Sequence, residues 1–353
     1  MNAVIKIIKI CISVLLIGVS GLLFCQSSTG ILFEEEVGLD WLFKLRGTLP
    51  SPADVIIISI DQASTEILHL PDDPEQWPRT YYANLVETIN QQKPALIAFN
   101  IHFGEAREPE TDLMLAKVMA ANKNVILSNY LKQYSVPAVS SQQEIRYERV
   151  IEPIPVLSHA ALGTAPFPLP KTSSTVKEFW TYKHSAGDIP TFPVSIFQYF
   201  VIEQAYPEVL QLLSQIDPEL HALLPKTFVQ LTRKFRTIQI FQDIHTAFSK
   251  DAETLEQLAQ LIAGGQYTTR KKQLLQSWLA LLNSDERLYL NHYGDVGAIT
   301  TIPFYQALAT DLLTPNLFKN RIVLIGYSDN IEPERNQGFY TAFSKASGKV
   351  LSK

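Results

Sequence analysis

An α/β fold, with a mainly parallel sheet flanked by helices and carrying a helical insertion, is what this 353-residue chain predicts. Two observations carry that expectation. Short β-branched apolar runs alternate with amphipathic helical stretches, and a long block of helical periodicity then interrupts the alternation. With 46% hydrophobic and 18% charged residues the chain has ample material for a packed core.

Residues 5–25 are nearly continuous hydrocarbon, broken by Lys6, Lys9 and a few small residues, and no charge falls between Ile10 and Phe24. Together with residues 7–8 the run reaches the roughly 17–20 residues a helix needs to cross a bilayer. Lys6 and Lys9 precede it and Glu34, Glu35 and Glu36 follow, so the positive-inside bias keeps the N-terminus in the cytoplasm. The sequence therefore predicts one N-terminal transmembrane helix, a signal anchor over residues 1–27. The body, residues 28–353, is expected outside the inner (cytoplasmic) membrane, in the periplasm or extracellular. Cleavage near Cys25-Gln26-Ser27 is the alternative, because small residues stand where a signal peptidase requires them. Cys11 and Cys25 are the only cysteines, so the exported body has no disulfides to draw on.

Residues 39–47 (LDWLFKLRG) place apolar side chains at helical spacing and read as an amphipathic stem coupling the body to the bilayer, with Asp40 and Arg46 as its polar members. Three buried strands follow, at 54–60 (DVIIISI), 95–101 (ALIAFNI) and 125–128 (VILS). The helical patterns at 80–92 and 112–121 between them give the order β-α-β-α-β, which calls for right-handed crossovers and a sheet covered on both faces. Residues 152–171 are proline-dense and read as irregular chain. Residues 195–285 read as mostly amphipathic helix, punctuated by Pro207, Pro218, Pro225 and Gly264-Gly265. Strands at 287–293 (RLYLNHY) and 321–326 (RIVLIG), with a short helix at 304–309, are expected to complete the sheet.

Chemistry is sparse. The chain has no phosphate-cradling GxxxxGK[ST] loop, GxSxG elbow, HExxH helix or cysteine knuckle, so no catalytic residues, cofactor or metal are assigned. His102 and Glu105, three apart, and the acidic loop Asp72-Asp73-Pro74-Glu75 lack the further ligands of a metal or calcium site. With Lys6 and Lys9 set aside from the 30 basic residues, the body keeps 28 against 35 acidic ones, which argues against a nucleic-acid partner. Ligands of open α/β sheets bind beyond the carboxyl ends of the strands. That rule nominates Asp61 at the end of the first strand, and Asn100 and His102 at the end of the second. Trp77-Pro78-Arg79 opens a helix, where Arg79 could fork onto an anionic ligand or onto Asp61.

Taken together, these segments resemble the second CHASE family, the cyclase- and histidine-kinase-associated sensory extracellular domains. LDWLFKLRG is similar to that family's opening motif, with Asp40 and Arg46 in matching places. DVIIISID at 54–61, WPR at 77–79 and ALIAFNIHFGE at 95–105 follow in order. LYLNHYG at 288–294 and NRIVLIG at 320–326 match its late strands, which adds Asn291 to the ligand-binding candidates Asp61, Trp77, Arg79, Asn100 and His102. Two positions depart from the pattern: Asn100 stands where the family usually has aspartate, and Glu334-Arg335-Asn336 replaces a more regular Asp-Arg turn. The resemblance implies an extracytoplasmic sensory input domain of a membrane-bound signalling protein. The effector it implies is a class III adenylate or guanylate cyclase, or a kinase. It further implies additional membrane helices and an unidentified small-molecule or protein stimulus, and signalling across one membrane calls for a homodimer. The competing readings are a membrane-anchored periplasmic solute-binding protein or hydrolase using the crevice near Asp61 and Arg79, and an anchored scaffold whose helical insertion binds a partner.

Overall fold

The computed structural model describes residues 2–137, 144–168, 176–234, 237–309, 313–327 and 341–343. An N-terminal helical segment comes first: α1 (Asn2–Cys25), α2 (Ser28–Phe33), one π-helical stretch (Glu34–Gly38) and α3 (Leu39–Arg46). Ser27 breaks it between α1 and α2, accepting from the Gly30 amide as a helix N-cap. Gly47, with φ of 77°, ends α3 in a conformation open to glycine and costly to other residues.

The body runs β1 (Val55–Ile60), α4 (Gln62–Leu68), α5 (Arg79–Asn90), β2 (Leu96–Asn100), α6 (Pro109–Asn122) and β3 (Val125–Pro137). It continues with β4 (Glu144–Ile151), α7 (Pro155–Ala160), β5 (Gly163–Pro166), β6 (Glu178–Trp180), β7 (Tyr182–Lys183) and β8 (Ile189–Pro190). Six helices follow: α8 (Phe192–Ile216), α9 (Pro218–Leu223), α10 (Phe228–Lys234), α11 (Thr237–Phe248), α12 (Ala252–Gly264) and α13 (Thr269–Leu282). The last elements are β9 (Arg287–Tyr289), β10 (Thr301–Pro303), α14 (Phe304–Leu308) and β11 (Ile322–Tyr327).

The central sheet has the order β10-β1-β11-β2-β3-β4, with β5 also on β3. Every pairing in it is parallel except β3 with β4. Period-two alternation decides which core each residue joins. Ile97, Phe99, Val323 and Ile325 point to the face covered by α5, α6, α7 and α14. Leu96, Ala98, Ile126 and Ile322 point the other way, against α8, α11, α12 and α13. The insertion is thus the second covering layer of the sheet, supplying Phe200, Ile202, Val209 and Trp278 to a core that would otherwise lie open.

Three expectations are corrected. Residues 287–293 do not join the sheet: only Arg287–Tyr289 form a strand, and it pairs antiparallel with β6 in a separate two-stranded sheet. One side chain of the three, Leu288, meets a small core with Phe179, and the edge beside β1 is already held by β10. The third strand reaches Pro137 instead of Ser128, because beyond the sheet it is paired by β4. The proline-dense stretch 152–171 holds a helix and a strand. Pro155 sits in the first turn of α7, where its missing N–H costs nothing, and Pro166 ends the short strand β5.

Among the described residues no helix is long and apolar enough to cross a membrane, so the fold does not establish the spanning anchor expected over residues 1–27.

Candidate functional site

The carboxyl end of the parallel sheet brings several sequence-nominated residues into one region, but mostly onto internal partners. Asp61 caps α4, accepting from the Ser64 amide at 2.9 Å and the Ser64 hydroxyl at 2.6 Å. Asn100 ends β2 opposite Gly326 of β11, half-buried, where a side chain on residue 326 would close to 3.3 Å of Asn100 Cβ. His102 follows, tilted against Tyr130 with ring centroids 6.0 Å apart, its Nδ1 shielded from solvent and without a hydrogen-bond partner among the described residues. Burial pushes this imidazole below its ordinary range, against an upward pull from the Ser128 backbone. A Cβ on Gly104 would fall 2.3 Å from His102 Nε2, so a larger residue there would displace the imidazole.

Trp77 is fully buried and donates from Nε1 to the Pro71 carbonyl at 2.6 Å. Its ring stacks on Tyr82 and meets Phe304 edge-on. Arg79, 1% exposed, pairs with Asp112 at 3.3 Å. It also donates to the carbonyls of Glu75 at 3.3 Å and Glu105 at 3.0 Å, with its guanidinium 4.6 Å from the Phe103 ring centroid. Its partner is therefore Asp112, 33 residues on, and not Asp61. Burial pulls the guanidinium below its usual pKa and the neighbouring Asp112 raises it in part. In the acidic loop, Asp73 caps the turn at Pro74–Gln76 and accepts from the Tyr327 hydroxyl at 3.2 Å. Among the described residues no three His, Cys, Asp or Glu side chains gather to hold a metal ion. Glu334, Arg335 and Asn336 lie outside the described residues.

A second locus joins stem and body. Asp40, 8% exposed, pairs with Lys177 at 3.7 Å, and both side chains are largely covered. Arg46 donates to the Asn291 side-chain oxygen and to the His292 carbonyl, with its guanidinium 4.9 Å from the Phe43 ring centroid. Phe43 meets the His292 ring edge-on at 5.3 Å, and His292 Nε2 donates to the Val176 carbonyl at 3.1 Å. Burial lowers the His292 pKa, while the Val176 carbonyl and Asp40 raise it in part. Asn291 is thus a partner of the stem, and the sequence-nominated pair Asp40 and Arg46 grips the body by two separate anchors.

Sequence reading missed the segment that links this clasp to the rest of the body. Lys177 immediately precedes β6, whose Trp180 ring lies under Lys183 Nζ at 4.0 Å and near Arg287 at 5.3 Å. Lys183, 6% exposed, pairs with Glu148 of β4 at 3.1 Å, and Glu148 also accepts from Gln133 at 3.1 Å and from Ser185. Nothing local marks these residues, because each partner is far off in sequence. A lysine three places after a tryptophan was the one available hint. Burial alone would raise the Glu148 pKa, but donors from Ser185, Gln133 and Lys183 together hold it below the ordinary carboxylate range. A depressed carboxylate stabilises the fold above its unfolded pKa and loses that contribution as pH falls through the folded one. Acidification from pH 5 toward 3 is therefore expected to destabilise the wild type more than Glu148→Gln. Thermal melts across that window check this, and parallel curves for the two proteins would refute it.

A mainly parallel sheet with helices on both faces, one face closed by the inserted helices, and a helical stem gripped by the body define an α/β domain with an attached stem. The chain belongs to the CHASE2 domain family, whose model matches residues 14–352. CHASE2 domains are extracellular sensory domains, which gives this chain a sensory input role. No curated protein and no solved structure matches it.

Proposed function

We propose that the chain is the extracytoplasmic input module of a membrane-bound signalling protein, working as a homodimer and most consistent with a class III nucleotide cyclase as effector. The observation that carries this reading is the stem clasp. The helix leading out of the apolar N-terminal segment is held to the body by Asp40 with Lys177 and by Arg46 with Asn291 and His292. The anchor at residues 1–27 is supported by α1 itself, whose Ile10, Val14, Leu16 and Ile17 are all more than half exposed. Apolar side chains left exposed by every described residue fit a lipid surrounding. The candidates at the carboxyl end of the sheet support a periplasmic binding protein or hydrolase less well, since Arg79 and Asp61 already have internal partners.

Signalling by such a module is a population shift: a stimulus binds one arrangement of body and stem better than the other. Moving the equilibrium from one side to the other needs on the order of 5 kcal/mol of differential affinity. The contacts for coupling are contiguous, running from Glu148 through Lys183 and Trp180 along β6 to Lys177 and Asp40.

Arg46→Ala removes two charge-assisted donors from an exposed contact, where solvent screening leaves each worth about 0.5–1 kcal/mol. Amide exchange over residues 41–46 of the full chain in detergent should accelerate about tenfold or more, with the central sheet unchanged. Unaltered protection of the stem would remove the clasp from the mechanism. The reading frame of the native gene past Lys353 tests the effector: membrane helices followed by a cyclase or kinase agree with the reading, and a stop codon there speaks for a stand-alone anchored protein.

A further inference from the structure

Beyond Asn129 the strand β3 leaves the sheet and pairs with β4 alone among the described residues, forming a two-stranded arm. Alternation divides the arm into two faces. On one parity stand Leu131, Gln133 and Ser135, opposed by Val150, Glu148 and Arg146. That face is committed to the body through Glu148 and Lys183. On the other parity stand Tyr130, Lys132 and Tyr134, opposed by Ile151, Arg149 and Tyr147. Here Lys132 and Arg149 are exposed, Tyr130 is 53% and Tyr147 48% exposed, and no acidic residue shares the parity.

Two features set this face apart from ordinary solvated surface. The chain has a net charge of −5, yet the only charges here are positive. Lys132 and Arg149 are also direct cross-strand partners. Like charges at that position destabilise a ladder, and a sheet selected for stability alone would place opposite charges there. The pair is flanked by aromatic rungs: the rings of Tyr134 and Tyr147 stack at 5.3 Å and 12°, with Lys132 Nζ 5.3 Å from the Tyr134 centroid. An oxyanion between the ammonium and the guanidinium would turn the repulsion into two charge-assisted hydrogen bonds. The tyrosines offer apolar ring faces with polar rims to a hydroxylated, flat partner.

We propose that this face receives an acidic polysaccharide, whose uronate carboxylates bridge Lys132 and Arg149 while its sugar rings lie against Tyr147 and Tyr130. Uronates match both features, since a planar carboxylate suits the arginine fork and a sugar ring presents C–H groups to an aromatic face. Nucleic acid fits less well: its affinity rises with the number of phosphates neutralised, and two cations on an acidic body supply few. The assignment rests on the sensory reading above for its place outside the cell, and it names the class of stimulus. Because the same arm reaches Lys183 through its opposite face, occupancy is coupled in space to the β6 segment that holds the stem.

The test uses the full chain in detergent and three defined probes: a decameric oligogalacturonate, its methyl-esterified neutral form, and a ten-nucleotide single-stranded oligothymidylate, titrated calorimetrically at fixed salt. Oligogalacturonate is expected to bind at least tenfold more tightly than either of the others. The double variant Lys132→Glu with Arg149→Glu should lose that binding at least tenfold. Lys117→Glu on the exposed side of α6, with the charge change of either single substitution and half that of the pair, should stay within twofold. Lys132→Glu alone, which creates an attractive cross-strand pair, should raise the melting temperature while weakening the oligosaccharide, separating a binding loss from a folding loss. Equal affinity for wild type and double variant overturns the proposal, as does preference for the oligothymidylate or no oligogalacturonate binding at millimolar concentration. None of these results bears on exchange at residues 41–46, so the clasp and the ligand face stand or fall separately.

Discussion

Arg79→Leu is expected to lower the unfolding free energy of the body by about 3–5 kcal/mol, the range for removing one member of a buried ion pair. The guanidinium is 1% exposed and meets Asp112 together with the carbonyls of Glu75 and Glu105. Leucine would leave the Asp112 carboxylate in a closed site with the Arg107 amide, at 2.9 Å, as its remaining described donor. It would also strip a donor from each of two backbone carbonyls. Lysine should rescue little, since a single ammonium cannot reach three acceptors in a fixed fork. Denaturant unfolding of the body measures the loss. A change below about 1 kcal/mol would show that Arg79 is dispensable to the fold and would return it to the pool of ligand-binding groups.

Trp77→Ala should cost a similar amount, about 3–5 kcal/mol, by the different route of a cavity. The indole is fully buried between Tyr82 and Phe304, and its loss also leaves the Pro71 carbonyl without the Nε1 donor at 2.6 Å. Trp77→Phe keeps most of the volume and gives up the hydrogen bond, so it isolates the second contribution, about 1–3 kcal/mol. Trp77 and Arg79 share one loop, since Tyr82 donates to the Pro74 carbonyl and Arg79 to the Glu75 carbonyl. The double variant should therefore be less than additive in the same denaturant series. Additive losses would mean that the two side chains hold independent parts of the structure.

Both variants bear on how the Trp77-Pro78-Arg79 motif is read. As a linear string it marks a helix start and offers an arginine to a ligand, and those two roles are indistinguishable without the third dimension. Asp112 is the deciding residue. In sequence it is one acid in an amphipathic helix, and its pairing with Arg79 exists because α5 and α6 pack side by side on the same face of the sheet. Asn291 repeats the lesson. It was nominated through a late-strand motif for ligand contact, and the structure gives its side-chain oxygen to Arg46 of the stem. Asp40 and Arg46 were legible as a pair because both lie on one short amphipathic helix. Their receivers were not: Lys177 comes from a segment with no pattern of its own, and His292 from one whose pattern pointed to the central sheet instead of the stem.

What the sequence by itself determined is local. Short β-branched apolar runs at 54–60, 95–101 and 321–326 became β1, β2 and β11, and period-3.6 stripes became α5, α6 and the helices of the insertion. Each such pattern reports how one element must present its apolar side chains to whatever covers it. Only the tertiary structure decided that β11 sits between β1 and β2, that β9 pairs with β6, and that the insertion closes the second face of the sheet. The same holds for the arm that sets Lys132 opposite Arg149. These are choices among partners far apart in the chain, made by which surfaces remain to be covered once the local elements exist, and a single sequence carries no record of that competition.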